Sequence, residues 1–462
     1  MPTAISNAPV IVANRLPVAR VRDREGVRWE RSPGGLVSAL APLIENKGGG
    51  WVGWLGVPGD APEPFSEGGI ELHPVPLSRA EVDLYYVGFS NATIWPLYHD
   101  AVRTPEFERS WWQPYVDVNQ RFAEATARVA GEGRTVWVHD YQLQLVPGQL
   151  RELVPSARIG FFLHIPFPPV ELMGQLPWRK EILEGLLGAD LIGFQTALGA
   201  QNFARAAARY TDAKLSGGNL LFRGREVQIG AFPISIDTAR YQAIAAREDV
   251  KRRTTELRRR FGDGRKILLG VDRLDYTKGI DRRLSGFDEL LGRYDHALDA
   301  AVFVQIAVPS REGVPDYAKM RSLIEEQVGH INGRHGEPGR VPVHYVYRSL
   351  PMEELVAWYA AADVMLVTPL RDGMNLVAKE YVACRPDGDG VLVLSEFAGA
   401  AKELTHALLV NPHDVDGLAT AFEQAMEMPL DEQRRRMRAL RRVIERNDVH
   451  AWATRFLEVL AP

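Results

Sequence analysis

The segment DVMLVTPLRDGMNLVAKE, residues 363 to 380, joins a short apolar run to a polar turn and then to a helix-like stretch. The run VMLVTP, which Pro369 closes, is typical of a strand buried on both faces of a parallel sheet. The turn at residues 370 to 374 is therefore expected at the carboxyl edge of that sheet, where open α/β sheets bind ligands. We interpret the segment as one unit that binds a charged sugar donor.

The second half of this segment predicts an anion site. NLVAKEYVAC contains good helix formers with apolar residues at helical spacing. The amides of Asn375 and Leu376 would point out of the helix N-terminus, where the helix dipole favours an anion such as a diphosphate. Phosphates would repel Asp372 and Glu380, so we expect these two carboxylates to accept hydrogen bonds from hydroxyls. The simpler interpretation of the two acids is a helix cap and a solvated carboxylate.

Length and composition limit the class of protein. A chain of 462 residues exceeds one ordinary core and predicts two domains of roughly 200 residues or slightly more each. Its net charge of −4 predicts no general affinity for nucleic acid or for anionic membranes. The single Cys384 excludes an internal disulfide framework and suits a reducing cytoplasm. Because the sequence has neither a leader-like N-terminus nor an apolar run of spanning length, we expect a cytoplasmic enzyme or binding protein.

The N-terminal segment contains the first candidates for phosphate binding. APVIVANR is typical of a strand that ends in a turn, which places Arg15 at a sheet edge. We interpret residues 16 to 35 as a polar loop that ends in PGG and precedes a helix. Its Gly34 and Gly35 would either let backbone amides approach phosphates or form a plain turn.

Aromatic and strand-end polar residues further along predict a sugar site. Tyr86 and Trp95 lie in an aromatic-rich segment and are candidates for a pocket wall, although most aromatic side chains are core. From residue 134 strands alternate with helices, which indicates a doubly wound parallel sheet. His139, Asp140 and His164 fall where predicted strands end. A histidine there is often structural, but three polar strand ends on one edge favour a site.

A second series of strands and helices starts at RKILLGVDRLDYTKGI, after a hairpin at residues 215 to 236 that ends the first domain. Arg273 and Lys278 stand at the carboxyl edge of its first strand, directly before a helix. A guanidinium fork and a point charge suit a diphosphate, whereas two plain surface cations at a helix start would oppose the dipole. Arg311 follows the next strand, AVFVQIAVPSRE.

Long contiguous motifs make the chain resemble the trehalose-6-phosphate synthases, which are retaining glycosyltransferases of the GT-B architecture in glycosyltransferase family 20. The motifs are ANR with PGGL, WVGW, YYVGFSNATIWP, VWVHDYQL, IGFFLHIPFP, LIGFQT, VDRLDYTKGI, QIAVPSR, HINGRHGEPG, TPLRDGMNLVAKEYVA and LSEFAGAAKEL. The resemblance implies two Rossmann-like domains that face a cleft. We expect an acceptor domain at residues 1–235, a donor domain at 236–445, and a terminal helix at 446–462 that packs back on the first domain.

The resemblance also implies the reaction and the donor site. The family transfers glucose, with retention, from a nucleoside diphosphate glucose to glucose 6-phosphate, and no metal or other cofactor is implied. Arg273, Lys278, His164 and Asp372 would be the catalytic residues. The implied donor contacts are Arg273, Lys278 and the amides of Asn375 and Leu376 for the diphosphate; Glu380 for the ribose; His164, Asp372 and the Gly373 amide for the glucose; and Gly34 and Gly35 in a closing loop.

For the acceptor, the resemblance implies a phosphate site and a sugar pocket. Arg15, Tyr86 and Arg311 would bind the phosphate of glucose 6-phosphate. The pocket residues would be Trp54, Trp95 and Asp140. Departure of the diphosphate and attack by the acceptor hydroxyl are then expected on one face of the sugar, without a committed protein nucleophile.

Several alternatives stay open from the sequence. Within enzymes, the acceptor could be glycerol 3-phosphate, or the chain could be a relative that joins a cyclitol. In a different class, the chain could be a silent sensor of sugar phosphate or nucleotide. The base of the donor can be uracil, guanine or adenine. Its contacts are expected from backbone near Val308, Ser349 and Leu350, and side-chain identity predicts such contacts poorly. A homodimer or homotetramer is possible.

Overall fold

The computed structural model of the chain describes residues 8–23, 26–31, 37, 40–41, 44–45, 48–131, 133–262, 264–293, 297–310 and 315–461. The chain divides into two compact units. One comprises Met1–Ile234 together with His450–Pro462, and the other is Ser235–Val449.

The first unit is built on a large, mostly parallel sheet. The strands of this unit are β1 (Val10–Arg15), β2 (Val18–Asp23), β3 (Gly26–Arg31), β4 (Gly50–Trp54), β5 (Phe65–Glu67), β6 (Ile70–Pro74), β7 (Thr135–His139), β8 (Arg158–Phe162), β9 (Leu191–Phe194), β10 (Lys214–Ser216), β11 (Asn219–Phe222) and β12 (Arg225–Ala231). The sheet order is β10-β11-β12-β9-β8-β7-β1-β4-β6-β5. The strands from β12 to β6 pair in parallel, and antiparallel hairpins extend both edges.

The segment predicted as a polar loop at residues 16 to 35 contains a hairpin instead. Strands β2 and β3 pair antiparallel as a two-stranded sheet of their own. Its sequence, VARVRDREGVRWER, alternates apolar and charged residues, which is the pattern of a strand with one solvated face. The many charges concealed this period of two, so the loop interpretation was wrong for residues 18–23 and 26–31.

Helices flank the first sheet. They are α1 (Arg79–Glu81), α2 (Trp95–Tyr98), α3 (Arg109–Ala130), α4 (Val146–Leu153), α5 (Val170–Met173), α6 (Arg179–Leu186) and α7 (Ala197–Tyr210). Between α1 and α2 the chain forms a π-helix at Val82–Ile94, a wide form that is rare at this length. Helical structure continues through Trp95 to Tyr98, with Pro96 in the first turn of α2.

The second unit has the topology of a doubly wound domain. Its strands are β13 (Lys266–Arg273), β14 (Ala301–Val308), β15 (Val343–Tyr347), β16 (Val364–Val367), β17 (Val391–Ser395) and β18 (Leu408–Val410). All of them pair in parallel, in the order β15-β14-β13-β16-β17-β18. The four residues of β16 are fully buried, which confirms the strand predicted from the apolar run VMLVTP.

Helices again connect the strands of the second unit. They are α8 (Thr238–Ala245), α9 (Glu248–Phe261), α10 (Ile280–Arg293), α11 (Ala297–Ala300), α12 (Pro315–His335), α13 (Met352–Ala361), α14 (Leu376–Ala383), α15 (Val415–Glu427) and α16 (Leu430–Arg446). No helix in the part of the chain that the structure describes is both long enough and apolar enough to cross a membrane.

The last helix, α17 (Val449–Leu460), packs on the sheet of the first unit. The ring of Phe456 stacks on that of Trp137 in β7, with the ring centres 4.4 Å apart. The Trp452 indole N–H donates to the Phe232 carbonyl oxygen over 3.1 Å. Trp452, Phe456 and Leu460, which are spaced four residues apart along one face of the helix, are all buried. Two doubly wound α/β units with a returning terminal helix confirm the fold class that the sequence predicts.

Candidate active site

Both sheets reverse their strand order at the first strand of the unit. In the first unit β1 lies between β4 and β7, and in the second unit β13 lies between β14 and β16. Connections leave the two strands of such a pair in opposite directions and open a crevice at their carboxyl ends, where doubly wound sheets bind ligands. The predicted site residues follow these strands: Arg15 ends β1, Asp140 follows β7, Arg273 ends β13, and residues 372 to 376 follow β16.

At the reversal in the second unit, the loops after β13 and β16 are held together by main-chain contacts. The chain after β13 forms a short 3₁₀ turn, Tyr276–Lys278, and then Gly279 in the left-handed region with φ 62°. A Cβ on Gly279 would lie 2.5 Å from the Thr368 carbonyl oxygen, so only glycine fits this approach. The Leu370 amide donates to the Thr277 carbonyl oxygen over 2.8 Å. The two loops therefore form one platform.

The platform brings Lys278 and Asp372 together. The Lys278 Nζ atom lies 2.6 Å from the Asp372 Oδ2 atom, and the two side chains are only 11% and 13% exposed. The Asn375 amide Nδ2 donates to the same carboxylate oxygen over 3.1 Å. Lys278 and Asp372 are 94 positions apart in the sequence and were assigned to different parts of the donor. Nothing in the sequence shows that they are neighbours.

The other two predicted groups of this region lie at the end of β13 and in the loop after β16. Arg273 is the exposed last residue of β13. Gly373 is buried, in a loop held by a hydrogen bond from the Gly399 amide to the Asp372 carbonyl oxygen, 3.2 Å, and by one from Ala400 to Met374, 2.8 Å. The backbone of this loop is therefore fixed on both sides.

Helix α14 begins at this platform. Asn375 is its N-cap residue, in the left-handed region with φ 79°, and its side-chain oxygen accepts from the Ala378 amide over 3.4 Å. A non-glycine residue with positive φ stores strain, which is common at functional sites. Leu376 is the first helical residue, so the structure places the predicted amides at the N-terminus of α14, at the positive end of the dipole.

Glu380 lies on α14, within a group of phenols. Its Oε2 atom accepts from the Tyr359 hydroxyl over 2.8 Å, and the Tyr241 hydroxyl is a second hydrogen-bond donor. Burial raises the pKa of Glu380 above its ordinary value, and the two hydroxyl donors partly offset that increase. Burial also raises the pKa of Tyr359 well above its ordinary value. Neither tyrosine was predicted, because residues 139 and 21 positions away in the sequence give no signal of this contact.

In the first unit, three predicted acceptor residues form a group at the end of β1. The guanidinium carbon of Arg15 lies 4.9 Å from the ring centre of Trp54, and Arg15 Nη1 donates to the Gly56 carbonyl oxygen over 3.4 Å. The rings of Trp54 and Tyr86 are 6.0 Å apart. Partial burial lowers the pKa of Arg15, although the guanidinium keeps its charge. A cation beside aromatic rings is suited to the phosphate and the apolar face of a sugar phosphate.

Asp140 and Trp95 lie around the end of β7. Asp140 has φ 75° and ψ 169°, outside the usual regions for a side-chain-bearing residue, and its Oδ1 atom accepts from the His164 amide over 3.2 Å. Trp95 is buried and lies against Tyr141, with ring centres 5.5 Å apart. Backbone strain directly after a central strand supports a functional position for Asp140.

His164 is paired with a second histidine. The Nδ1 atom of His139 lies 3.1 Å from the Nε2 atom of His164, and Trp137 and Phe162 pack on the rings. Burial lowers the pKa of His164 to about 3, and burial with the neighbouring ring lowers that of His139 well below its ordinary value. Both rings are therefore neutral near pH 7, and one ring donates to the other. Sequence reasoning noted His139 at a strand end but did not predict this pair.

Gly34, Gly35 and Arg311 lie outside the described residues. Their predicted contacts with the donor and the acceptor phosphate stay predictions. Within the described ranges, no group of three or more His, Cys, Asp or Glu side chains is arranged to hold a metal ion.

The chain matches one protein family over nearly its whole length. The family model for glycosyltransferase family 20 matches residues 7–462. The chain is 56% identical over 462 residues to the trehalose-6-phosphate synthase of Mycolicibacterium smegmatis, a match that covers 98% of this chain and 92% of that relative.

Solved structures resemble the chain over the same length. A UDP-forming α,α-trehalose-phosphate synthase from Burkholderia xenovorans, in complex with glucose-6-phosphate, has a TM-score of 0.90 and 35% identity, covering 98% of this chain and 99% of that one. The structure of an E. coli relative bound with UDP-2-fluoro glucose has a TM-score of 0.89 and 35% identity, with 98% of each chain covered. The fold is that of the GT-B glycosyltransferases, and the chain belongs to glycosyltransferase family 20.

Proposed function

We propose that this enzyme is an α,α-trehalose-6-phosphate synthase, which transfers glucose from a nucleoside diphosphate glucose to glucose 6-phosphate with retention of configuration. The observation that carries the proposal is the buried Lys278–Asp372 pair, 2.6 Å apart, beside the N-terminus of α14 at the strand-order reversal. A cation, a helix N-terminus and a hydroxyl acceptor within one platform match the chemistry of a sugar diphosphate.

On the donor side, Arg273, Lys278 and the amides of Asn375 and Leu376 hold the diphosphate in this proposal. Glu380 accepts from the ribose hydroxyls in this proposal, as its partly buried carboxylate accepts from the Tyr359 hydroxyl. The Asp372 carboxylate accepts from hydroxyls of the donor glucose, His164 accepts or donates there, and the Gly373 amide donates. The loop of Gly34 and Gly35 covers the phosphates.

On the acceptor side, Arg15 binds the phosphate of glucose 6-phosphate, with Tyr86 and Arg311 as further donors. The grouping of Arg15 with Trp54 and Tyr86 supports this role, because the guanidinium lies over the Trp54 ring and the Tyr86 ring lies beside that of Trp54. Trp54, Trp95 and Asp140 shape the sugar pocket. The first unit is thus the acceptor domain, and the second is the donor domain.

The proposed reaction needs stabilisation of the leaving group above all. The bond between the anomeric carbon and the diphosphate breaks with its electron pair on oxygen, and the acceptor's anomeric hydroxyl bonds to the same face. Its proton passes to the departing diphosphate. Arg273 and Lys278 stabilise the developing negative charge, the type of electrostatic term that is often the largest in catalysis. Asp372 is engaged by Lys278 and Asn375, which suits an orienting role better than that of a nucleophile.

A donor panel tests the proposal directly. The protein is incubated with glucose 6-phosphate and UDP-, GDP- or ADP-glucose, and the product is identified by NMR. We expect an α,α-1,1-linked phosphodisaccharide from UDP-glucose or GDP-glucose. If only glycerol 3-phosphate gave a product, it would be the acceptor in place of glucose 6-phosphate. Binding of both substrates without product would indicate a sensor instead of an enzyme.

Two further predictions accompany the function. We propose a cytoplasmic location, where nucleoside diphosphate sugars and sugar phosphates are metabolised, and cell fractionation measures it. The homodimer or homotetramer stays a prediction, which sedimentation analysis of the purified protein decides.

A further inference from the structure

We propose that Arg283, which no predicted site contains, is a positioning residue that sets the geometry of the diphosphate-binding loops. The inference rests on the proposed donor role of Arg273 and Lys278. Arg283 lies in the first turn of α10 and is completely buried. A buried guanidinium beneath a binding platform requires an explanation, because desolvating a charge is costly.

The side chain of Arg283 makes contacts in four directions. Its Nη1 atom donates to the Asp272 Oδ2 atom over 2.6 Å and to the Gln305 Oε1 atom over 2.8 Å. Its Nε atom donates to the Thr368 Oγ1 atom over 3.0 Å, and Nη2 reaches the Lys278 carbonyl oxygen at 3.4 Å. The Gln305 amide also donates to Asp272 over 3.2 Å. We refer to Arg283, Asp272, Gln305 and Thr368 as the buried network.

Members of the buried network adjoin the proposed diphosphate ligands on both sides of the strand-order reversal. Asp272 immediately precedes Arg273 at the end of β13. The Lys278 carbonyl oxygen is itself an acceptor in the network. Thr368 follows β16 and begins the loop that reaches Asp372. One planar guanidinium therefore fixes the ends of β13 and β16 relative to each other, which a flexible ammonium could not do with the same geometry.

Stability alone does not account for this arrangement. Replacing a buried ion pair by apolar residues of similar volume is often neutral or stabilising, so buried charges are weak evidence of a stability role. Gly270 in β13 leaves room for the network, because a Cβ at this position would overlap both the Gln305 Oε1 and the Arg283 Nη1 atoms. The geometry points to the alignment of binding loops, where displacements of about 1 Å can cost a hundredfold in rate.

Two mild variants test the role without leaving a buried charge unpaired. Thr368→Val and Gln305→Met keep the Arg283–Asp272 pair, and each removes one hydrogen-bond acceptor of the Arg283 guanidinium. We expect the affinity for the donor's nucleoside diphosphate, measured by calorimetry, to fall about tenfold while the affinity for the corresponding nucleoside is unchanged. The KM for glucose 6-phosphate should change much less, because all the proposed acceptor contacts except Arg311 belong to the other unit.

Arg283→Lys and a control variant complete the design. The lysine keeps the charge without the fork, so the protein should fold but bind the nucleoside diphosphate as weakly as Thr368→Val. Arg265→Met is the control, since Arg265 is buried at the opposite end of β13 and donates to the Ala301 carbonyl oxygen over 2.8 Å. We expect it to lower the melting temperature and to leave nucleoside diphosphate affinity unchanged.

The outcomes separate this inference from the proposed function. Wild-type affinity for the nucleoside diphosphate in Thr368→Val, Gln305→Met and Arg283→Lys would overturn the positioning role, whatever their melting temperatures. An equal loss in Arg265→Met would also overturn it, because the effect would then be general destabilisation. If the wild type transfers no glucose to glucose 6-phosphate yet the network variants still lose diphosphate affinity, the proposed function fails and the positioning role stands.

Discussion

The two strand-order reversals of this molecule have the same topology and different chemistry. In the second unit, the reversal between β13 and β16 carries charges: a buried ion pair, a cation and a helix N-terminus. In the first unit, the reversal between β1 and β7 carries aromatic rings and one arginine, and a pair of neutral histidines lies at the ends of β7 and β8. The same backbone arrangement thus offers a crevice, and the loop residues decide what it binds.

This difference teaches which loops must be rigid. The charged loops of the second unit are tied by hydrogen bonds to the strands beneath and to each other, as a transition-state stabiliser requires. In the first unit, Arg15 is only partly buried and contacts the Trp54 ring and the Gly56 carbonyl oxygen. We therefore expect loss of Lys278 in the second unit to lower kcat, and loss of Arg15 in the first unit to raise the KM for the acceptor.

The largest effect is expected from Lys278→Ala. Loss of the cation at the leaving diphosphate should lower kcat by about a hundredfold or more. Initial rates at saturating substrates measure it, and circular dichroism checks that the fold persists although Asp372 loses its partner. The matched control is Lys266→Ala, at the opposite end of β13, where a 41% exposed lysine lies 3.8 Å from Asp363. Turnover near the wild-type value in Lys278→Ala would remove the diphosphate role.

A smaller effect is expected from Arg15→Ala. Loss of a charge-assisted contact to the acceptor phosphate should raise the KM for glucose 6-phosphate about thirtyfold and leave the KM for the donor unchanged. Steady-state kinetics with each substrate varied in turn separate the two constants. Arg28→Ala serves as the control, because this arginine is exposed and pairs with Glu30 on the hairpin. A change in the KM for the donor alone would contradict the assignment of Arg15 to the acceptor phosphate.

Glu380→Gln should have a more limited effect, confined to the ribose. We expect about a tenfold rise in the donor KM and weaker discrimination against a 2′-deoxyribose donor, because a neutral amide is a poorer acceptor than a carboxylate. The assay compares ribose and deoxyribose donors in both proteins. Glu353→Gln is the control, because Glu353 is a half-exposed acid that pairs with Arg247. Unchanged discrimination between the two sugars would exclude the ribose contact.

The smallest effect is a pH dependence of stability that comes from the histidine pair. The pKa of His164 is about 3 in the folded chain, and an unfolded histidine titrates near 6.5. Between these values the unfolded state binds more protons, so the free energy of unfolding should fall as the pH is lowered through that window. His139 adds to the effect, since its pKa is also depressed.

Thermal unfolding at pH 7.5 and pH 5 tests this dependence. We expect a lower melting temperature at pH 5 and a weaker dependence in His139→Phe, which removes one titrating ring. His406→Gln, an exposed histidine in the second unit, should leave the dependence unchanged. Equal pH dependence in His139→Phe and the wild type would mean that the pair does not titrate as its burial indicates.

The comparison of the two units also shows how far sequence reasoning extends. It predicted the doubly wound fold, the strand ends that carry Arg15, Asp140, Arg273 and Asp372, and the family, and the structure and the comparisons confirm the fold and the family. It missed the β2–β3 hairpin because the charges there obscured a period of two. It also missed Tyr241, Tyr359 and Arg283, because a contact between distant residues leaves no local pattern.

The sequence by itself determined the strands, their carboxyl ends and the chemical type of each residue placed there, because side-chain periodicity and composition are local properties. Only the tertiary structure decided which of these ends are neighbours. Strand order is set by packing across the whole unit, and it brings Lys278 to Asp372, Tyr359 to Glu380 and Arg283 beneath both loops. Residues 363 to 380 therefore encode one of the two loops of the platform, and the chain after β13 supplies the other loop and Lys278.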